Sequence, residues 1–249
     1  MKILPVIFIL LALTSAGVLN AQTSPSMYHK GCIDLNKNGR KDIYEDPEKS
    51  VCDRVNDLIT KMTLEEKTCQ MATLYGWRRV VKDSLPTPEW KNRIWKDGIA
   101  NIDEHLNGFA NWNKPFRDID LVTDVKRHVW AMNETQRFFI EQTRLGIPVD
   151  FTNEGIRGIE YYVATSFPTQ LNMGMTWDRA LVYAMGRIEG AEARALGYTT
   201  VYAPILDVAR DQRWGRLEEV YGEDPFLAAE LGIEMAKGLQ YNNQVTSTA

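Results

Sequence analysis

Cysteine is scarce: Cys32, Cys52 and Cys69 are the only three in 249 residues. That is far from a disulfide framework, even for an oxidising compartment. A bridge from Cys32 to Cys52 would staple the N-terminal region, and unpaired thiols are the alternative. Histidine is equally sparse, and His29, His105 and His128 stand at none of the usual zinc-ligand spacings, which argues against a metal hydrolase. There is no basic surplus either. Lys plus Arg number 29 against 33 Asp plus Glu, a formal net charge of -4, and without a Lys/Arg block nothing points to DNA or RNA as a partner. No apolar run is long enough to span a bilayer core of about 30 Å, which takes around 20 residues. What is present is ordinary for a folded domain: 44% hydrophobic, 25% charged and 10% aromatic residues, with 17 Gly and 10 Pro. Collagen-like, low-complexity and wholly disordered chains are excluded.

Met1-Lys2, the apolar run Ile3–Leu13 and the small residues Thr14-Ser15-Ala16 have the charged start, short greasy core and exit of a secretory signal. Cleavage is expected near Ala16 or Ala21, so residues 1–21 are read as a signal peptide. A periplasmic or secreted protein without a membrane span follows.

Residues 22–50 form a polar, turn-rich arm. Within it Asp34, Asn36, Asn38 and Asp42 fall at loop positions one, three, five and nine of a calcium loop of the EF-hand type. Arg40 stands at position seven, Gly39 at the sharp turn and Glu45 at position twelve. A structural calcium is the expectation. Against it, Asn-x-Asn-Gly is good turn chemistry by itself, Lys41 stands where such loops place an apolar residue, and no entering helix precedes Asp34.

From residue 51 the pattern becomes α/β. Val55, Ile59 and Met62 share one helical face, and Thr63-x-x-Glu66 offers a capping box to the segment Leu64–Met71. Residues 75–97 read as an irregular loop, followed by a weak strand at Ile99–Ile102. A long helix carries Val122, Val125, Val129, Met132 and Phe139, and the Gly146-Ile-Pro148 turn ends it. Strands are expected at Val149–Thr152, Leu171–Gly174 and Val201–Pro204. A helix over 178–196, capped by Thr176 and stopped by Gly197, turns Leu181, Met185, Ile188 and Ala195 inward. The last helix starts at Pro225 after acidic Glu223 and Asp224 and turns Phe226, Ala229, Ile233 and Ala236 inward. Alternation at this spacing implies parallel βα units, about four of them, or half of a (β/α)8 TIM-type barrel.

In such folds the working residues gather just past the C-terminal ends of strands. Two segments stand there: Asn153-Glu154-Gly155-Ile156-Arg157-Gly158, and the charged stretch Asp207 to Glu219 with Arg210, Asp211, Arg213, Trp214 and Arg216. Carboxylates and guanidinium groups form charge-assisted bonds to neighbouring hydroxyls, and an indole face lies well against a sugar ring. The same residues would equally serve as loop-bracing ion pairs, with Trp214 as core.

The ordered set of motifs resembles the N-terminal barrel of glycoside hydrolase family 3. They are Met62-Thr-Leu-Glu-Glu-Lys67, Gly146-Ile-Pro148, Asn153-Glu154-Gly-Ile-Arg-Gly158, Ser166-Phe-Pro168, Thr176-Trp-Asp178, and Asp207-Val-Ala-Arg-Asp-Gln-Arg-Trp-Gly-Arg216 running on to Tyr221-Gly-Glu-Asp-Pro225. The match covers residue 51 to the end. The resemblance implies an exo-acting, retaining β-glycosidase that removes terminal glucose or xylose from oligosaccharides or β-glycosides without a catalytic cofactor. By motif position, Arg216 binds hydroxyls of the terminal sugar and Glu154 is the sugar-binding carboxylate. Glu is one methylene longer than the Asp of many glucosidases, so it would fill the space of a hexose hydroxymethyl and favour a pentose.

A retaining mechanism needs a nucleophilic carboxylate and an acid/base carboxyl about 5–5.5 Å apart. In the family these come from a later barrel strand and a following domain, and a Lys-His pair follows the last helix seen here. None falls within residues 1–249, so the chain is expected to be an N-terminal fragment, inactive alone. Glu218, Glu219 and Glu223 fit helix-dipole or ion-pair roles better than catalysis. Trp77, Trp90, Trp95 and Trp112 fit loop packing, and Trp130 and Trp177 are read as structural. A non-catalytic secreted carbohydrate- or calcium-binding module is the alternative.

Overall fold

The computed structural model describes residues 26–75, 90–103 and 124–248. The expected signal peptide at 1–21 lies outside the described residues, as do Trp77, His105, Trp112 and Val122.

The arm opens with a small antiparallel hairpin of β1 (Tyr28–His29) and β2 (Cys32–Ile33). Helix α1 (Val51–Lys61) begins where Ser50 Oγ accepts the Asp53 N–H at 3.1 Å. Helix α2 (Leu64–Cys69) begins in the expected capping box: Thr63 Oγ1 accepts from Glu66 N, and Glu66 Oε2 accepts from Thr63 N at 2.9 Å. Two orphan donors of the helix end are thereby satisfied. All three cysteines are free thiols.

Strand β3 (Thr73–Tyr75), β4 (Asn101–Asp103), helix α3 (Val125–Gln142), β5 (Asp150–Glu154), the short helix α4 (Gln170–Gly174), α5 (Arg179–Leu196), β6 (Thr200–Tyr202), α6 (Pro225–Leu239) and β7 (Thr246–Thr248) follow in that order. Strands β3 to β7 form one five-stranded sheet, parallel throughout and in sequence order. Each βα unit adds its strand on the same side, which is how a barrel winds; a doubly wound sheet would reverse its strand order.

The sheet has one dry and one polar face. Successive side chains of a strand point to opposite sides, so Ile102, Phe151 and Val201 share a face and sink into the core with Met132 and Phe139 of α3, Val182 and Met185 of α5, and Leu231 and Met235 of α6. Trp95, fully buried, packs its ring 4.9 Å from that of Phe139. The other face carries Asn101, Asp103, Asp150, Thr152, Glu154, Thr200 and Tyr202. There Asn101 Nδ2 donates to Asp150 Oδ2 at 3.0 Å, and Thr200 Oγ1 donates to the same oxygen at 3.1 Å.

Several expectations are corrected. Leu171–Gly174 is helical, because Thr169 caps it by accepting from Asn172 N at 3.4 Å and Gln170 turns inward. Thr73–Tyr75 is a strand although its sequence has no alternating pattern, and Trp90–Ile94 forms a helical turn inside the expected loop. Asp178, not Thr176, caps α5: Asp178 Oδ1 accepts from Leu181 N at 3.0 Å. Helix α5 ends at Gly197 as expected, in the left-handed conformation at φ +96.

The inward faces of α5 and α6 also differ from expectation. Leu181, Ile188, Phe226 and Ile233 are exposed, while Val182, Gly186, Glu189, Gly190, Leu231, Gly232 and Gly238 are buried. The two helices press backbone to backbone: a Cβ on Gly186 would lie 2.7 Å from the Met235 carbonyl oxygen, and one on Gly238 would lie 2.5 Å from that of Tyr183. Glycine carries no hydrophobic signal, so a count of large apolar residues selects the wrong face.

Candidate functional site

Glu154 is the last residue of β5, and the turn after it is held by its neighbour. Fully buried Asn153 accepts the Glu160 N–H on Oδ1 at 2.9 Å and donates from Nδ2 to the Glu160 carbonyl at 3.3 Å. Its amide thus acts as a strand-like partner and closes the loop 153–160. Gly155 makes the next step possible, since a Cβ there would lie 2.3 Å from both Glu189 Oε1 and Val201 Cγ1. A second clamp fixes the other rim segment: Gln170 Nε2 donates to the Ile205 carbonyl at 3.0 Å, and Ile205 N donates to Gln170 Oε1 at 3.1 Å.

Arg216 lies in the segment after β6, where its Nε donates to Glu219 Oε2 at 2.7 Å and its Nη2 pairs with the same oxygen at 2.5 Å. Arg213 turns back on Asp211, two residues away and largely in solvent, with Nη2 to Oδ2 at 2.6 Å. Glu218 approaches Arg157 at 3.5 Å. Arg213, Asp211 and Glu218 therefore take the loop-bracing roles, and Trp214 is half-buried beside them.

Glu154 and Arg216 meet electrically. Burial pushes the Glu154 carboxyl up to about 7, the nearby Asp103 and Glu160 carboxylates push the same way, and Arg216 pulls it down. Reciprocally, the hydrogen bond to Glu219 raises the Arg216 guanidinium, with the charges of Glu154 and Asp207 adding to it. Asp103 was not singled out by sequence; it ends β4, is buried, and accepts from Thr152 Oγ1 at 2.7 Å. Tyr202, also missed, stands in register with Glu154 on β6. The signal available in sequence was the polar residue at every second position of Asn101-Ile-Asp103, Asp150-Phe-Thr152-Asn-Glu154 and Thr200-Val-Tyr202.

In the arm, the calcium-loop residues Asp34, Asn36, Asn38, Arg40, Asp42 and Glu45 curl around one another. Asp34 accepts from Asn38 N at 3.0 Å and Gly39 N at 2.7 Å. Glu45 accepts from Leu35 N at 2.8 Å and Asp42 N at 2.9 Å, Asn38 Nδ2 donates to Asp42 at 2.9 Å, and Arg40 N donates to Asn38 Oδ1 at 2.8 Å. Among the described residues no group of three or more His, Cys, Asp or Glu is disposed to hold a metal. The loop is tied to the barrel: Lys37 Nζ donates to the carbonyls of Ile140 at 2.9 Å and Thr143 at 2.6 Å, at the negative end of the α3 dipole.

Parallel βα units wound in sequence order, with carboxylates and a guanidinium gathered where strands β4, β5 and β6 end, define a barrel-type α/β domain with a polar site at its rim. The chain belongs to glycoside hydrolase family 3: residues 103–249 match the Glycosyl hydrolase family 3 N terminal domain. It is 29% identical over 199 residues to a putative beta-xylosidase of Formosa agariphila, covering 80% of this chain and 25% of that protein. It is 28% identical over 256 residues to a periplasmic beta-glucosidase/beta-xylosidase of Dickeya chrysanthemi, covering 95% and 36%. A mutant beta-glucosidase from Listeria innocua in complex with laminaribiose superposes with a TM-score of 0.58 at 30% identity, covering 76% of this chain and 24% of that one. The chain thus spans about a quarter to a third of the length of these relatives. No helix among the described residues is long and apolar enough to cross a membrane.

Proposed function

We propose that the full-length protein is an exo-acting, retaining β-glycosidase that removes a terminal non-reducing β-linked xylose or glucose, with Glu154 and Arg216 gripping that sugar. The observation that carries the reading is that these two side chains come from the C-terminal ends of adjacent, paired strands: Glu154 ends β5, and Arg216 lies in the segment that follows β6. A carboxylate accepts from sugar hydroxyls while a guanidinium donates to them, and both bonds are charge-assisted. The names of the relatives, beta-xylosidase and beta-glucosidase, support hydrolysis of a β-linked xyloside or glucoside. The nucleophile and acid/base of the retaining pair, about 5–5.5 Å apart, are proposed to come from outside residues 1–249, so these residues alone are expected to be inactive. Residues 1–21 are proposed to direct export to the periplasm or medium.

The pentose preference is proposed from the length of the Glu154 side chain. The full-length protein is expected to hydrolyse nitrophenyl β-xyloside faster than nitrophenyl β-glucoside. Glu154→Asp, one methylene shorter, is expected to move the ratio of kcat/KM values toward glucoside by about tenfold or more. A strong glucose preference in the unaltered protein removes the pentose reading. Monosaccharide binding without any hydrolysis favours the non-catalytic module instead.

A further inference from the structure

The face of the sheet turned away from the helices is polar at every level. Asp150 sits lowest, bonded by Asn101, Thr199 and Thr200. One level up, Asp103 stands in register with Thr152, whose hydroxyl is shared between Asp103 Oδ1 at 2.7 Å and Asn101 Oδ1 at 3.1 Å. Glu154 is the next side chain on that face of β5, above Thr152 and beside Tyr202. A barrel interior is ordinarily filled by branched apolar residues; here a buried acidic group stands on the neighbouring strand, one level below the rim carboxylate.

We propose that Asp103 is a positioning residue for the sugar site: its carboxylate, held by the Thr152 hydroxyl one strand over and one level below Glu154, sets how tightly Glu154 grips the terminal sugar. This rests on the reading of Glu154 as a sugar-binding carboxylate. The groups facing Glu154 are Asp103 from β4, Tyr202 from β6, Glu160 from its own loop, and Arg216 and Glu219 from the segment after β6. Arg216 opposes Asp103, but its charge is shared with Glu219 and lies half in solvent. Glu160 is set against Arg157. Asp103 is only 4% exposed, so water and salt screen its charge least. Sugar hydroxyls donate to an ionised carboxylate, so binding and deprotonation of Glu154 are linked.

The test uses the full-length protein, following protonated carboxyl groups by infrared absorption from pH 5 to 9, with the Glu154 band assigned by its loss in Glu154→Gln. The band is expected to titrate near pH 7. In Asp103→Asn, and in Asp103→Ser as an independent replacement, its midpoint is expected to fall by about one pH unit. The inhibition constant of xylose or glucose is expected to rise by up to about tenfold per pH unit below the midpoint, and in the Asp103 variants that rise begins about a unit lower. An unmoved midpoint in both variants overturns the proposal, as does an inhibition constant that ignores the shift. A protein that titrates as stated but hydrolyses no β-glycoside sinks the glycosidase reading and leaves the electrostatic assignment of Asp103 standing.

Discussion

Glu189 is fully buried between α5 and the turn after β5, and its oxygens make no hydrogen bond of good geometry among the described residues. Burial drives its carboxyl well above the ordinary 4.5, Glu192 adds to the rise, and the Gly158 N–H works against it. The folded protein therefore holds a proton that the unfolded chain releases from about pH 4.5 upward. The contribution to stability is present below that value and is lost as pH rises toward the folded value. Glu189→Gln keeps the shape and removes the titration. The difference in Tm between variant and parent is expected to grow in favour of the variant from pH 5 to pH 8, and a constant difference overturns this. The placement of Glu154 and Arg216 at or past the ends of strands was legible because they sit in motifs. Asp103 and Glu189 were not, because an isolated acidic residue in a strand or helix carries no local mark of the charge or burial around it.

At the scale of elements, start and stop signals were legible and packing faces were not. The capping box at Thr63 and Glu66, the Pro225 start and the Gly197 stop all depend on neighbours within four residues. The contact between α5 and α6 depends on residues some fifty positions apart, and its closest points are glycines. Gly186→Ala places a methyl against the Met235 carbonyl oxygen and is expected to cost about 1–3 kcal/mol through overpacking, lowering Tm by several degrees. Gly215→Ala meets nothing within 4 Å and is expected to leave Tm within about a degree, since open surface positions change stability little. Equal effects of the two would show that close helix packing is not what holds this pair. Leu171–Gly174 shows the other failure: four residues of mixed pattern fit strand or helix, and the Thr169 cap with the inward Gln170 decides for helix.

At the scale of the whole molecule, the bonds that join the arm to the barrel among the described residues include Lys37 to the end of α3, Tyr28 Oη to Glu141 at 2.8 Å, and Tyr44 Oη to the Leu145 carbonyl at 3.2 Å. The calcium expectation for the loop 34–45 remains a proposal, carried by the spacing of its oxygens. Calcium at a hundredfold excess over its dissociation constant would stabilise the full-length protein by about 2.7 kcal/mol, read as a rise in Tm that a chelator reverses. A Tm indifferent to both leaves the internal hydrogen bonds as the loop's whole purpose.

The linear order of residues by itself determined most of the βα alternation, the capping box at Thr63 and Glu66, the Pro225 start, the Gly197 stop, the family and the two rim segments, because each is written in short-range spacing and motif. Only the tertiary structure decided which helix faces are buried, that residues 73–75 and 246–248 complete a five-stranded parallel sheet, and that Asp103 and Glu154 share its polar face on neighbouring strands. Those outcomes depend on which distant backbones can approach and on how far burial strips water from a charge, and neither quantity exists until the chain has closed on itself.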